Sequence, residues 1–253
     1  MIISYWLLPL LFATGLVAGL VDAIAGGGGL ITLPVLLWTG IPPQYALGTN
    51  KLQSTFGSGS AMAHFAGAGT ITLRESLEGI TFTAIGAAAG ALTVQRLDPG
   101  FLRGIIPFFL LAIALYTLLT PRLGLEDIHP RLAKLPFYLC CGLTLGFYDG
   151  FFGPGTGSFW VIALMLGLGY NMTTATGYTK VMNFTSNIVS LAMFILGGHV
   201  YYTAGLVMGV GQLIGARVGA GLVLSRGARF VRPIFITMSL AITAKLLFDY
   251  YYR

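Results

Sequence analysis

The run Gly15-Leu16-Val17-Ala18-Gly19-Leu20-Val21-Asp22-Ala23-Ile24-Ala25-Gly26-Gly27-Gly28-Gly29 joins an apolar segment to a lone aspartate and four consecutive glycines. The pattern returns later in the chain. Gly142-Leu143-Thr144-Leu145-Gly146 is followed by Asp149 and Gly153, each 127 positions on from its counterpart. Past the glycines the displacement becomes 129 and holds: Gly48-Thr49-Asn50-Lys51 falls on Gly177-Tyr178-Thr179-Lys180, Gly86 and Gly90 on Gly215 and Gly219, and Arg103 on Arg232. One two-residue insertion therefore relates two halves over nearly their whole length, which is a duplication and not a shared apolar bias.

Each half reads in the same order. An apolar segment (4–21; 134–149) runs into the aspartate and the glycine-rich break, and a short apolar stretch follows (28–39; 156–168). Three full-length spans complete each half, at 45–67, 76–95 and 102–120 and at 174–196, 201–224 and 230–250. The organisation expected is a first membrane repeat over 1–120, a linker over 121–133 and a second repeat over 134–253. The fold class is all-α, a polytopic membrane protein of about eight spans, or ten membrane segments counting half-helices.

Composition supports this. Residues of the set AVILMFWYC make up 56% of the 253 positions and charged residues 9%, against about 25% charged in soluble domains. Apolar windows recur at the length needed to cross roughly 30 Å of hydrocarbon. Only a helix or a closed barrel satisfies its backbone there. The net charge of +6 is spread singly over short connections without interleaved aromatics, which argues against nucleic acid. Cys140 and Cys141 are adjacent and apolar-flanked, which suits packing in a helix and neither a disulfide framework nor a zinc site. Ala23-Ile24-Ala25 looks like a signal-peptidase site, but no Lys or Arg precedes the run and the segment recurs mid-chain, so it is kept as the first membrane segment.

Loop charges bear on orientation. With the halves inverted, Arg74, Arg122, Arg131, Lys134, Arg226, Arg229 and Arg232 share one face, leaving Arg96, Arg103 and Arg253 on the other; parallel halves would divide the ten evenly. The positive-inside rule favours inversion, with the seven-residue face cytoplasmic. Inversion requires each broken first segment to enter and leave on one side, or otherwise each half to cross an odd number of times.

Inverted repeats with interrupted helices point to a transporter whose site lies near the midplane, at the repeat interface. The interruptions are Gly26-Gly27-Gly28-Gly29 and Gly153-Pro154-Gly155-Thr156-Gly157. A helix restarting after glycine aims unpaired N–H groups and a positive dipole end into the gap, an anion site with no charged side chain; the plainer alternative is a flexible bend. These glycines are not a dinucleotide fingerprint or a phosphate loop, because neither a preceding strand nor a Lys-Ser/Thr pair accompanies them. Lys51 and Lys180 open the third segments at matching positions among small polar residues, which include Asn50, Ser54, Thr179 and Asn183. Lys51, Ser54 and Ser58 share one helix face, as do Lys180, Asn183 and Asn187. Such a face supplies the donors an oxyanion needs; snorkelling to the headgroups is the competing explanation of the lysines.

Asp22 and Asp149 are acids at the ends of apolar segments, again paired by the repeat. Ion pairing with the lysines, capping of the restarted helices and carriage of a coupling proton all stay open. Arg217 sits in an apolar run and needs a carboxylate or solute, Asp149 being one candidate. His64 has Met193 as its counterpart and reads as structural. The G-x-x-x-G pairs Gly15/Gly19, Gly86/Gly90, Gly142/Gly146 and Gly215/Gly219 read as close helix packing.

In these motifs, Gly19 through Ile31 with Pro34, Ala46-Leu47-Gly48-Thr49-Asn50-Lys51, and Gly146 through Gly157, the sequence resembles the sulfite exporter TauE/SafE family, and within it the YfcA-like permeases. The resemblance implies a multi-pass permease of the bacterial inner membrane for sulfite, sulfoacetate or related organic anions, with no cofactor and no catalytic residues. The implied partners are a small anionic solute and the bilayer; a coupling proton and a homodimer stay open. Among competing classes, a cation or metal permease lacks clustered His, Met and Cys ligands. An intramembrane hydrolase needs a nucleophile and a base on facing helices, and the one histidine inside an apolar segment, His64, is unduplicated.

Overall fold

The computed structural model describes residues 5–102, 104–106, 108, 112 and 132–226. Among them the regular structure is entirely helical. The first repeat supplies α1 (Leu8–Ala25), α2 (Gly28–Trp38), α3 (Pro43–Gly67) and α4 (Leu77–Gln95), and the second α5 (Lys134–Phe151), α6 (Thr156–Leu168), α7 (Met172–Leu196) and α8 (Tyr202–Arg226). Most of the span expected at 102–120, all of that at 230–250 and nearly all of the linker fall outside the described residues.

Among the described residues four helical segments, Leu8–Ala25, Leu73–Gln95, Met172–Leu196 and Tyr202–Arg226, are long and apolar enough to cross a membrane. Helix α3 is as long as α7, at 25 residues. It owes its lower hydropathy to a buried polar stripe, Thr49, Asn50, Lys51, Gln53 and Ser58, which faces protein instead of lipid. Helices α2 and α6 are half-length, as the two short apolar stretches implied.

Two apolar clusters mark opposite ends of the bundle. Helix α3 runs from Ala46, Leu47 and Leu52 in one to Ala61 and Phe65 in the other, and α7 runs the opposite way, from Met172 to Phe194. Helix α1 starts in the Leu7/Leu11 cluster and reaches the other at Ala23, Ile24 and Ala25; α2 then returns through Leu30, Leu33 and Leu36 to the first. The α5–α6 pair does the reverse, with Phe137 and Tyr138 at its start and Trp160, Leu164 and Leu168 at its return in the same cluster. Each broken segment thus enters and leaves the bundle at one end, and the two pairs use opposite ends.

Helix α1 packs on α8 and α5 on α4, so each first helix lies against the last described helix of the other repeat. Small residues permit backbone contact at both seams. A Cβ on Gly15 would lie 2.2 Å from the Met208 carbonyl oxygen, and one on Gly90 2.1 Å from that of Phe147. The G-x-x-x-G pairs are these seams. The cysteines differ from expectation: both lie in α5, but Cys140 is exposed, because the close-packed side of α5 is the one carrying Gly142, Gly146 and Gly150.

Candidate functional site

The two helix breaks meet between the apolar ends. Helix α1 ends on Gly26 in the left-handed conformation (φ 71°), and α6 follows Gly153 (φ 101°) and Gly155 (φ 82°). The breaks touch: a Cβ on Gly26 would lie 2.4 Å from the Gly157 carbonyl carbon, and one on Gly157 2.5 Å from the Gly26 Cα. Ser158 Oγ ties them by donating to the Ala25 carbonyl at 2.8 Å. Asp22 and Asp149 lie in the last turns of α1 and α5, one turn before each break.

Both aspartates pair with the lysine of the other repeat. Lys51 Nζ donates to Asp149 Oδ1 at 2.6 Å and to the Asp149 carbonyl, and lies 3.4 Å from Asn187 Oδ1. Lys180 Nζ donates to the Asp22 carbonyl and lies 3.1 Å from Asp22 Oδ2. Snorkelling does not describe these lysines, since each side chain is 1% exposed. Removing two charges from water costs several kcal/mol per ion, and only close pairing with further hydrogen bonds offsets that.

The two pairs are not equal. The Asp149 side chain is 5% exposed and also accepts from Ser186 Oγ; the Asp22 side chain is 19% exposed and accepts from the backbone N–H of Gly28 at 3.2 Å. The first-repeat counterpart of Ser186 is Gly57, where a Cβ would lie 2.0 Å from Gln212 Oε1. The glutamine occupies the space that a serine would need, so Asp22 has no hydroxyl partner there.

A cavity of about 20 Å³ lies at the meeting of the breaks, room for roughly one water. Of the residues proposed from sequence, Asp22, Gly26, Gly29, Asn50, Lys51, Ser54, Asp149, Gly153, Gly155, Thr156, Gly157 and Asn183 line it, together with Asn187. Gly27 and Gly28 open α2 beside it, and Gly28 caps onto Asp22. Thr179 and Lys180 are buried and are not among the residues lining it. Arg217 is a correction to the expected pairing: it is exposed on α8 beside exposed Val218 and Ile214, and Asp149 is committed to Lys51 and Ser186. Among the described residues Arg217 has no carboxylate within 4.0 Å. His64, in the last turn of α3, is half-buried and faces Gly221 of α8.

Sequence reasoning missed Ser186, Gln53 and Thr32. Ser186 was legible in principle, because Thr176, Thr179, Lys180, Asn183, Ser186, Asn187 and Ser190 form one polar stripe of α7 at three- and four-residue spacing. Among the described residues there is no group of three or more His, Cys, Asp or Glu that would hold a metal.

The family model for the sulfite exporter TauE/SafE matches residues 11–246. The chain belongs to that family. A "Probable membrane transporter protein" of Haemophilus influenzae is 47% identical over 243 residues, covering 96% of this chain and 95% of its own. The "Probable membrane transporter protein YfcA" of Escherichia coli K12 is 46% identical over 247 residues, covering 98% and 92%. A "Probable membrane transporter protein ORF9" from Sinorhizobium is 43% identical with 98% and 95% coverage. No solved structure matches. With this membership and four helices of spanning character, the TauE/SafE chain is a multi-pass membrane protein.

Proposed function

We propose that this TauE/SafE protein is a permease of the bacterial inner membrane for small anions, with sulfite and related organosulfur anions as its substrates, and that it is a transporter and not an enzyme. The observation carrying this is the cavity between the two helix breaks. Asn50, Ser54 and Asn183 supply neutral donors to its wall, and the reciprocal Lys51–Asp149 and Lys180–Asp22 pairs leave its charge balanced. Because each ammonium is held by a carboxylate and a carbonyl, the donors free to meet a solute are amides, hydroxyls and backbone N–H groups. Such a set meets a small anion with several neutral hydrogen bonds, which a charge leaving water requires.

The halves are inverted across the bilayer about an axis in the membrane plane. Support comes from the α1–α2 and α5–α6 pairs returning at opposite ends of the bundle, and from the seven-to-three division of loop cations. The cavity, about 20 Å³, has room for about one water, so passage of an anion requires the two breaks to move apart.

Flux into proteoliposomes tests the assignment, using a panel of sulfite, sulfoacetate, acetate and potassium with and without a pH gradient. Saturable flux of the sulfur anions is expected. Flux of potassium alone, or none, would overturn it.

A further inference from the structure

The two repeats treat one corner of the cavity differently. In the first, Asn50 Oδ1 accepts from Thr32 Oγ1 at 2.6 Å and from Gln53 Nε2 at 2.7 Å. Thr32 and Gln53 are 0% exposed and Asn50 3%. At the corresponding positions the second repeat has Val161, Thr179 and Met182. Val161 and Met182 pack in the apolar cluster, so the architecture does not need polar groups at these places. A buried polar trio kept in one repeat alone calls for a reason other than packing.

With its oxygen engaged by two donors, the Asn50 amide has one end left. Its Nδ2 makes no hydrogen bond among the described residues and is not sealed, and Asn50 lines the cavity. An amide held by its carbonyl presents two N–H donors in a fixed direction.

We propose that Gln53 and Thr32 are positioning residues that hold the Asn50 amide with its NH₂ group toward the cavity, making the first repeat the reader of an oxyanion's oxygen edge. This rests on the anion-permease reading and deepens it by naming what sets selectivity. The substrate class that follows is a small oxyanion whose oxygens take directed hydrogen bonds, in preference to a halide. A sphere of charge gains little from donor direction, whereas an oxyanion loses a bond when the donor swings away.

The test measures equilibrium binding of sulfite and of bromide to the full-length protein in nanodiscs. Gln53→Met and Thr32→Val borrow the second repeat's own residues, so the volumes are ones this architecture already packs. Each should weaken sulfite binding about three- to tenfold, the loss of roughly one neutral hydrogen bond, while bromide changes by less than about twofold. Thr32→Ser keeps the hydroxyl and should bind sulfite like the parent. Asn50→Asp, which places acceptors where donors stood, should abolish sulfite binding. Should Gln53→Met fail to fold, the comparison of Thr32→Val with Thr32→Ser decides alone. Loss of sulfite and bromide binding in parallel, or no change in either, overturns the inference while leaving the anion permease standing. A parent protein that binds neither anion removes both.

Discussion

Lys51 and Asp149 belong to different repeats, 98 residues apart in sequence, yet bring Nζ within 2.6 Å of Oδ1 in a setting almost closed to water, and Lys180 with Asp22 performs the same exchange in the opposite sense. Reciprocal exchange is what a two-fold relation between two copies requires: a contact from residue i of one copy to j of the other is answered by one from j to i. The pairs therefore join the repeats where an alternating movement would have to part them.

Breaking one partner of the sealed pair should cost far more than removing both. Lys51→Ala leaves the Asp149 carboxylate uncompensated, and Asp149→Ala strands the ammonium; each should destabilise by about 3–5 kcal/mol. The double variant should recover much of that, with a coupling energy beyond about 1 kcal/mol. Reversible unfolding in mixed micelles across the four-protein cycle measures it. Additive single effects would show that the charges do not depend on each other.

The second pair should prove softer. Asp22 is more open than Asp149 and lacks a serine partner, so Asp22→Asn should cost about 1–3 kcal/mol, the scale of one unsatisfied group, against about 3–5 for Asp149→Asn. Ser186→Ala should lower stability only in the Asp149 background. Equal losses at the two aspartates would refute the inequality of the pairs.

The duplication, the broken helices and the glycine seams were legible because each leaves a periodic or repeated mark: G-x-x-x-G spacing, matching offsets, glycine runs between apolar segments. The Asp–Lys exchange was among the alternatives, but sequence offers no rule for which lysine meets which aspartate across 98 or 158 positions. Arg217 misled for a related reason. A lone charge in an apolar run signals cost but not direction, and one step around α8 places it beside exposed Val218 instead of buried Ala216. Thr32 and Gln53 carry no repeated mark, since their counterparts are Val161 and Met182.

The contact between the breaks should not tolerate a methyl group. A Cβ on Gly157 meets backbone, the Gly26 Cα at 2.5 Å, which cannot rotate aside. Gly157→Ala should cost about 1–3 kcal/mol by overpacking and hold the breaks apart, lowering sulfite flux. Gly67→Ala, at the end of α3 with nothing within 4 Å of its Cβ, is the control. Flux that survives Gly157→Ala unchanged would mean that the breaks already stand apart in the working protein.

The inverted arrangement makes a claim about sidedness that labelling decides. Lys134 Nζ lies 3.6 Å from Glu75 Oε2, which sets the start of α5 beside the connection that carries Arg74. At the other end of α4, Gln95 Oε1 lies 3.0 Å from His199 Nδ1, which sets Arg96 beside the α7–α8 connection. The segment Leu73–Gln95 has the length and hydropathy of a span, so Arg74 and Lys134 are expected to face one compartment and Arg96 the other. The positive-inside rule predicts the cytoplasmic side for Arg74 and Lys134. Cysteines should be placed singly at 74, 96 and 134, all exposed positions, after the native Cys140 and Cys141 have been changed to serine. A membrane-impermeant maleimide added to intact spheroplasts should then label position 96 alone, and positions 74 and 134 only after permeabilisation. Labelling of 74 and 96 from the same side would contradict the span, and labelling of 74 and 134 but not 96 would keep the architecture and reverse its orientation.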